Sequence, residues 1–177
     1  RFPWARPDAL LAGFLVPGDG RVNPVDLTTA FAKGARNLGV RVVEGARVTA
    51  VEVGQGRVPS VTGVRVGEQL IECEYVVNCA GMWARELAGQ NGVVVPNQAA
   101  EHYYLITDTI EGLGPDTPVF EDPAAYGYFR EEGGGMMVGL FEPEAAAWRV
   151  EGIPADFSFG TLPVDWDRIT PFLQTAM

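Results

Sequence analysis

The stretch that decides the fold of this chain is residues 74–83, E-Y-V-V-N-C-A-G-M-W. Residues 75–79 form an apolar run of the length typical of a parallel strand covered on both faces. Ala80 and Gly81 follow, and a helix is predicted to start at Met82. Small residues at the carboxyl end of a strand let a ligand approach the backbone, and open α/β sheets bind ligands there. An ordinary strand-to-helix turn is the alternative interpretation.

Upstream of this stretch, the sequence predicts a short strand at 12–16, then a helix and a strand. Asn23 and Pro24 are an N-cap and a first helical residue, and Gly39 is a C-cap. The apolar residues of this helix recur at helical spacing and form one face: Leu27, Ala30, Phe31, Ala35 and Leu38. A buried strand at 40–43 follows at once, which indicates an α/β layer.

Between that strand and residues 75–79, the sequence predicts a three-stranded antiparallel meander. Residues 47–53 and 58–66 alternate apolar and polar side chains on either side of a glycine turn, and a third strand lies near 69–73. The meander leads directly back to the apolar run.

The second half of the chain has the pattern of a mostly antiparallel sheet. Residues 101–107 are rich in aromatic and β-branched side chains, and 119–120 form a brief strand. Residues 126–130 and 136–141 form a predicted hairpin. A final helix is expected from Asp165, which is a candidate cap, with Pro171 as a disturbance near its start.

Composition excludes several classes of protein. The net charge is −10 with scattered basic residues, which argues against nucleic acid, and no apolar run approaches the roughly 18 residues of a membrane span. One histidine and no Cys/His cluster give no metal site. Cys73 and Cys79 are expected to be reduced, buried thiols, and the first residues have no signal-peptide character. A protein that is not secreted is therefore expected.

The motif V-V-N-C-A-G at 76–81 resembles the last strand of the flavin-binding domain in glutathione-reductase-type flavoproteins, in the amine-oxidising branch related to D-amino-acid oxidase. The motif E-H-Y-Y at 101–104 narrows the resemblance to dimethylglycine and sarcosine dehydrogenases. The resemblance implies a mixed α/β fold: part of an FAD-binding domain at 22–96, with helix, parallel strands and meander. The rest, 1–21 and 97–177, would belong to a mostly antiparallel substrate domain.

The resemblance implies FAD as the cofactor, with Val48 at the adenine, Trp83 at the flavin, and Ala80 and Gly81 also in the FAD site. It also implies a bacterial cytoplasmic or mitochondrial matrix location. Strand core for Val48 and core packing for Trp83 are the structural alternatives. A G-x-G-x-x-G motif, which would hold the pyrophosphate, is missing from the sequence. The chain is therefore expected to be a piece of a longer protein, and alone it is expected to be inactive.

His102 and Tyr128 are the candidate catalytic residues. Oxidation of an N-methyl amine requires the neutral amine, because an ammonium nitrogen has no lone pair, and histidine assisted by a phenol suits that proton. Alternation predicts that His102 and Tyr104 share one face of a strand and that Tyr103 takes the other. The resemblance includes a strand histidine that faces flavin and substrate. A structural histidine is the alternative.

Tyr126 and Arg130 are candidate substrate-binding residues. The segment from Tyr128 to Glu131 resembles the family's Y-x-R-x segment, and the choice between Tyr126 and Tyr128 as the active-site tyrosine stays open. Arg130 could hold a substrate carboxylate by two parallel hydrogen bonds, although a salt bridge to one of the many acids is the alternative.

These observations predict a flavin-dependent enzyme that oxidises the C–N bond of a small N-methylated amino acid of the dimethylglycine or sarcosine type. The alternatives are another oxidase or dehydrogenase of the D-amino-acid oxidase superfamily and a catalytically silent regulatory relative. The sequence does not identify the electron acceptor.

Overall fold

The computed structural model describes residues 2–176. They form a mixed α/β arrangement with two antiparallel sheets, of three and four strands. The described residues divide into two compact units. We call residues 31–101 and 146–160 the meander unit, and residues 2–30, 102–145 and 161–176 the sheet unit. None of the described helices is both long and apolar enough to cross a membrane.

Helix α1 spans Pro24–Asn37 and begins and ends as the sequence predicts. The Asn23 side-chain oxygen accepts hydrogen bonds from the backbone N–H groups of Val25 (2.9 Å) and Asp26 (3.2 Å). These two bonds satisfy donors that have no partner inside the helix. Gly39 follows the helix with φ of 86°, the left-handed conformation that favours glycine.

The predicted apolar face of α1 is not buried among the described residues. Phe31 is 70% exposed and Leu38 is 86% exposed, and no residue of the helix is buried. The capping signals are local and act within one turn, whereas burial of the face needs a partner element.

The predicted meander is confirmed. Strands β1 (Val48–Gly54), β2 (Ser60–Val66) and β3 (Gln69–Glu72) pair antiparallel in that order. A Cβ added at Gly63 would lie 2.5 Å from the backbone oxygen of Ile71, so only glycine fits where β2 and β3 approach.

Three predicted strands are wrong: residues 12–16, 40–43 and 75–79 have no strand structure. The last two were expected to be buried, yet Tyr75 is 89% exposed and Val77 84% exposed. A strand forms only when a neighbour accepts and donates its backbone hydrogen bonds. In the described part of the chain, these segments pair with none of the strands of the two sheets.

The predicted helix start at Met82 is confirmed. A 3-10 turn at Gly81–Trp83 runs directly into helix α2, Ala84–Gly89. The expectation of buried thiols is wrong, since Cys79 is exposed and Cys73 is only partly covered, although both are unpaired. Cys79 lies in the segment 75–79, and Cys73 lies two residues before it. Among the described residues, this segment pairs with none of the strands.

The sheet unit holds strands β4 (Tyr104–Thr109), β5 (Phe120–Asp122), β6 (Gly127–Glu132) and β7 (Gly135–Leu140). Their order is β4-β7-β6-β5, and every neighbouring pair is antiparallel. The predicted hairpin is therefore confirmed. The strand predicted from residue 101 begins only at Tyr104.

One face of this sheet packs into the core. Leu140 on β7 is 2% exposed and lies in a cluster with Tyr103 and with Ile169 of helix α3, Trp166–Ala176. The Asp165 side chain caps α3, because its oxygen accepts a hydrogen bond from the Arg168 N–H at 3.1 Å. Because side chains alternate along a strand, the residues between these core positions point to the other face.

Candidate active site

A row of cross-strand partners positions the candidate tyrosine. Tyr128 on β6 lies opposite Gly139 on β7, and Gly139 lies opposite Tyr104 on β4. A Cβ added at Gly139 would lie 1.8 Å from the Tyr128 ring. The absent side chain at Gly139 therefore makes room for the ring of Tyr128 to lie across β7.

His102 lies just before β4, not on it, so the prediction that it is a strand residue is wrong. The expected faces are nevertheless observed. Tyr103 points to the core with Leu140, while the His102 ring stacks on the Tyr128 ring at 6.5 Å between centroids and 17° between planes. The structure therefore brings together the two residues proposed for proton chemistry.

The residue that sequence reasoning missed is Glu142. One of its carboxylate oxygens, Oε2, lies 3.3 Å from His102 Nδ1, and its side chain is only 4% exposed. The other oxygen, Oε1, is buried and accepts no hydrogen bond within the described residues. Glu142 lies in a segment with the composition of a loop. The signal in the sequence was its position two residues after the end of β7, the strand that pairs with β4.

The surroundings of Tyr128 favour its protonated form. Burial is the main cause that raises the pKa of the Tyr128 phenol above its ordinary value. The Arg130 cation opposes this shift of the pKa, and Tyr104 and Glu142 reinforce it. The Phe141 ring, 5.0 Å from the Tyr128 ring, supplies part of the covering. A phenol that keeps its proton is a hydrogen-bond donor.

Tyr126 lies apart from this pair of rings, in the turn before β6 and not in the strand. It has φ of 53°, which is uncommon for a residue with a large side chain. With Pro123 and Phe141 it lines a shallow pocket of about 230 Å³. Of the two candidate tyrosines, Tyr128 is the one in ring contact with His102.

Arg130 shares a face with Tyr128, as alternation predicts, but its guanidinium is engaged. One nitrogen lies 2.9 Å from the Glu132 carboxylate, and Nε donates to the Met137 sulfur at 3.1 Å. A substrate carboxylate would have to compete with Glu132 for this side chain.

In the meander unit, two asparagines hold the turn at Ala80 and Gly81. Asn78 accepts a hydrogen bond from the Ala80 N–H at 3.2 Å, and the Asn97 side chain donates to the Gly81 oxygen at 3.1 Å. Gly81 has φ of 54°, and a Cβ added there would meet nothing within 4 Å. The backbone of this turn is therefore both fixed and open on one side.

A protein-family model described as "FAD dependent oxidoreductase" matches residues 1–177. The chain belongs to this family. The proteins of this family use FAD.

Curated relatives match nearly the whole chain. The chain is 35% identical to 4-methylaminobutanoate oxidase (formaldehyde-forming) of Paenarthrobacter nicotinovorans, over 99% of this chain and 21% of the relative. It is 34% identical to mitochondrial dimethylglycine dehydrogenase of Rattus norvegicus and 33% identical to mitochondrial sarcosine dehydrogenase of Homo sapiens, again over 99% of this chain. The chain spans about a fifth of the length of these relatives.

A relative that is named as a regulatory subunit, and not as an oxidase or dehydrogenase, also matches. The chain is 33% identical to the mitochondrial pyruvate dehydrogenase phosphatase regulatory subunit of Mus musculus, over 95% of this chain and 19% of that protein. Family membership therefore does not by itself separate an enzyme from a regulatory protein.

The turn at Ala80 and Gly81 fits a cofactor of this family. Small residues and an open backbone allow a flat group to approach closely. Asn97 Oδ1 is buried beside this turn and accepts no hydrogen bond within the described residues. An acceptor of this kind is expected to find a donor, and a bound ligand can supply one. Val48 at the start of β1 is 38% exposed, and Trp83 is partly buried in the 3-10 turn.

Proposed function

We propose that this chain is part of a flavin-dependent oxidoreductase that oxidises the C–N bond of a small N-methylated amino acid. The observation that carries the proposal is the stacking of His102 on Tyr128, 6.5 Å apart, beside the buried carboxylate of Glu142. The names of the matching relatives support the substrate class: dimethylglycine, sarcosine and 4-methylaminobutanoate are all N-methylated amino acids.

The chain is, on this proposal, a piece of a longer protein. Residues 22–96 would form part of a glutathione-reductase-type FAD-binding domain, and residues 1–21 and 97–177 part of the substrate domain. The exposure of Tyr75, Val77 and Val94, each above 80%, supports the first assignment, because apolar segments of this kind are usually covered in a complete domain. A bacterial cytoplasmic or mitochondrial matrix location is part of the proposal.

FAD, when bound, supplies the acceptor for the hydride equivalent that leaves the carbon next to nitrogen. Val48, Ala80, Gly81 and Trp83 would hold this cofactor. Ala80 and Gly81 would let the cofactor approach the turn closely, because neither carries a side chain larger than a methyl group. Val48 would contact the cofactor through its side chain at the start of β1, which is 38% exposed. Trp83 would offer a flat apolar surface.

His102 would accept the proton of the bound ammonium, which leaves the neutral amine with a lone pair on nitrogen. Tyr128 would donate a hydrogen bond to the reacting group, because its raised pKa keeps the phenol protonated in neutral and mildly alkaline solution. Oxidation then becomes possible because the lone pair can stabilise the cationic imine that forms as the hydride departs.

Arg130 and Tyr126 would contact the substrate away from the reacting carbon. Arg130 would bind the carboxylate of the amino acid in exchange for Glu132, from which it lies 2.9 Å. Tyr126 would contact the substrate at the shallow pocket that it lines with Pro123 and Phe141. Loss of either contact should weaken binding more than it slows the reaction of bound substrate.

The second candidate function is that of a catalytically silent regulatory protein. The similarity to the regulatory subunit of pyruvate dehydrogenase phosphatase favours it, at 33% identity. The presence of both His102 and Tyr128 in ring contact favours the enzyme. A third candidate, another oxidase branch of the family, predicts a different substrate and no role for His102.

The experiment that separates these candidates uses a folded protein that contains this chain, and its FAD content is measured first. It is mixed without oxygen with dimethylglycine, sarcosine, 4-methylaminobutanoate, D-alanine or glycerol 3-phosphate, while flavin absorbance is followed. Bleaching by an N-methyl amino acid is the expected result. Bleaching by D-alanine or glycerol 3-phosphate alone would place the protein in another branch. A folded protein without flavin would support the regulatory candidate.

A further inference from the structure

We propose that Glu142 is a positioning residue that holds His102 in one tautomer, with the proton on Nδ1 and a free lone pair on Nε2. This inference rests on the proposed function, in which His102 accepts the substrate proton. It concerns a residue outside the family motifs, and it follows from the distances and burial around His102.

The burial of Glu142 needs an explanation, because a carboxylate is costly to remove from water unless it is paired. Its side chain is 4% exposed, and Oε1 accepts no hydrogen bond within the described residues. The ion-pair partner of Glu142 among the described residues is His102, whose Nδ1 lies 3.3 Å from Oε2. A structural carboxylate would be expected to have an arginine or several backbone donors, as Glu131 has in this same unit.

Glu131 is a buried carboxylate of the same unit whose oxygens both have donors. Its carboxylate accepts from Arg21 and from the Gly134 N–H, so both oxygens are engaged and its burial is compensated. Glu142 has no comparable set of donors among the described residues. These surroundings favour a carboxylate that accepts from a single donor, the imidazole of His102.

The tautomer follows from the chemistry of the two groups. An ionised carboxylate only accepts hydrogen bonds, so the nitrogen that faces it must carry the proton. In neutral imidazole the other nitrogen, Nε2, then has the lone pair. A proton that moves from substrate ammonium to Nε2 yields neutral amine and imidazolium.

Three substitutions test this role in the FAD-loaded protein. Glu142→Gln keeps an oxygen acceptor but removes the charge, Glu142→Leu removes both, and Glu142→Asp keeps both in a shorter side chain. Glu144→Gln is the control, because it changes the same charge two residues away on an exposed side chain. FAD content and urea midpoints show which variants remain folded.

The first readout is the tautomer of His102, measured by ¹⁵N NMR of protein labelled at histidine. The His102 signal is the one lost in His102→Asn, and spectra are recorded in the alkaline range where it no longer changes with pH. We expect a protonated Nδ1 in the wild type and in Glu142→Gln, and a population with protonated Nε2 in Glu142→Leu. A wild-type ring with Nδ1 unprotonated would overturn the inference.

The second readout is anaerobic flavin reduction. Outer partners that orient a histidine in metal sites typically change function by about 10- to 100-fold, and we expect a loss of kcat in that range for Glu142→Leu. Glu142→Gln should lose less and Glu142→Asp should recover part of the rate, with KM nearly unchanged in each. Wild-type kcat in both Gln and Leu variants would overturn the inference. If Leu does not fold, Gln and Asp carry the kinetic test.

The two proposals fail in different ways. If no N-methyl amine bleaches the wild-type flavin, the proposed function fails, while the tautomer measurement still decides whether Glu142 positions His102. If the wild type is active and every Glu142 variant matches Glu144→Gln in rate and tautomer, the function stands and the positioning role is wrong.

Discussion

The sheet unit and the meander unit bury apolar surface to different extents. In the sheet unit, β7 is buried along its whole length, and Leu140 is 2% exposed. In the meander unit, Ala84 is the only buried hydrophobic residue among those described. The two strands of a hairpin pair with each other, whereas an isolated apolar segment needs a partner from elsewhere in the fold.

The largest effect is expected for Leu140→Ala, which opens a cavity in the core of the sheet unit. Truncation of a fully buried leucine typically costs about 2–5 kcal/mol of unfolding free energy. Leu38→Ala is the control, because Leu38 is 86% exposed and its truncation should change the free energy by less than about 0.5 kcal/mol. Urea unfolding of the chain measures both. Equal losses at the two positions would remove the contrast between the units.

Gly139→Ala should have the next largest effect. The added Cβ meets the Tyr128 ring at 1.8 Å, so the ring must leave its place over β7. Overpacking of this kind typically costs about 1–3 kcal/mol in unfolding free energy, and contact between Tyr128 and His102 should be lost with it. Gly114→Ala is the matched control, since its new Cβ meets nothing within 4 Å. Flavin reduction that survives Gly139→Ala unchanged would argue against a role for this ring.

The same contrast explains what the sequence could predict. The caps Asn23 and Asp165 act within one turn, and the hairpin turn joins neighbours in the chain, so these elements follow from local patterns. The segment at 75–79 has the composition of a buried strand, but a parallel strand forms only beside a distant neighbour. Local composition therefore could not decide its structure.

The candidate site shows the same limit. Alternation was enough to predict that His102 and Tyr103 point to opposite faces. The proximity of Glu142 to His102 depends on the pairing of β4 with β7, strands that are more than 20 residues apart. Register between such strands is set by packing and turns together, so the sequence pattern around Glu142 predicted only a loop.

A smaller, pH-dependent effect is expected for Glu131→Gln. The Gly134 N–H and the Arg21 guanidinium lower the pKa of Glu131 below 4.5, so the folded state favours its charged form. This stabilisation is present above pH 4.5 and is lost as pH falls through the lowered pKa of the folded state. The difference in urea midpoint between wild type and Glu131→Gln should therefore shrink below pH 4.5. A difference in urea midpoint that does not change with pH would contradict this account.

The smallest effect is expected for Val77→Ser. Val77 is 84% exposed, so the substitution should change the unfolding free energy of this chain by less than about 0.5 kcal/mol. In a longer protein in which the segment is covered, the same substitution should be clearly destabilising. The measurement is the change in thermal unfolding that Val77→Ser causes in this chain and in the longer protein. An equal, small change in both would contradict the proposal that residues 75–79 belong to a larger domain.

The most direct test of the central claim is the rate constant for anaerobic flavin reduction by an N-methyl amino acid in His102→Gln. General acid–base residues typically contribute about 10²- to 10⁴-fold, so we expect a loss in that range with FAD content unchanged. Tyr128→Phe should also be slow, whereas Tyr126→Phe should retain most of the rate. A wild-type rate constant in His102→Gln would contradict the claim that this face of the sheet unit carries the proton chemistry.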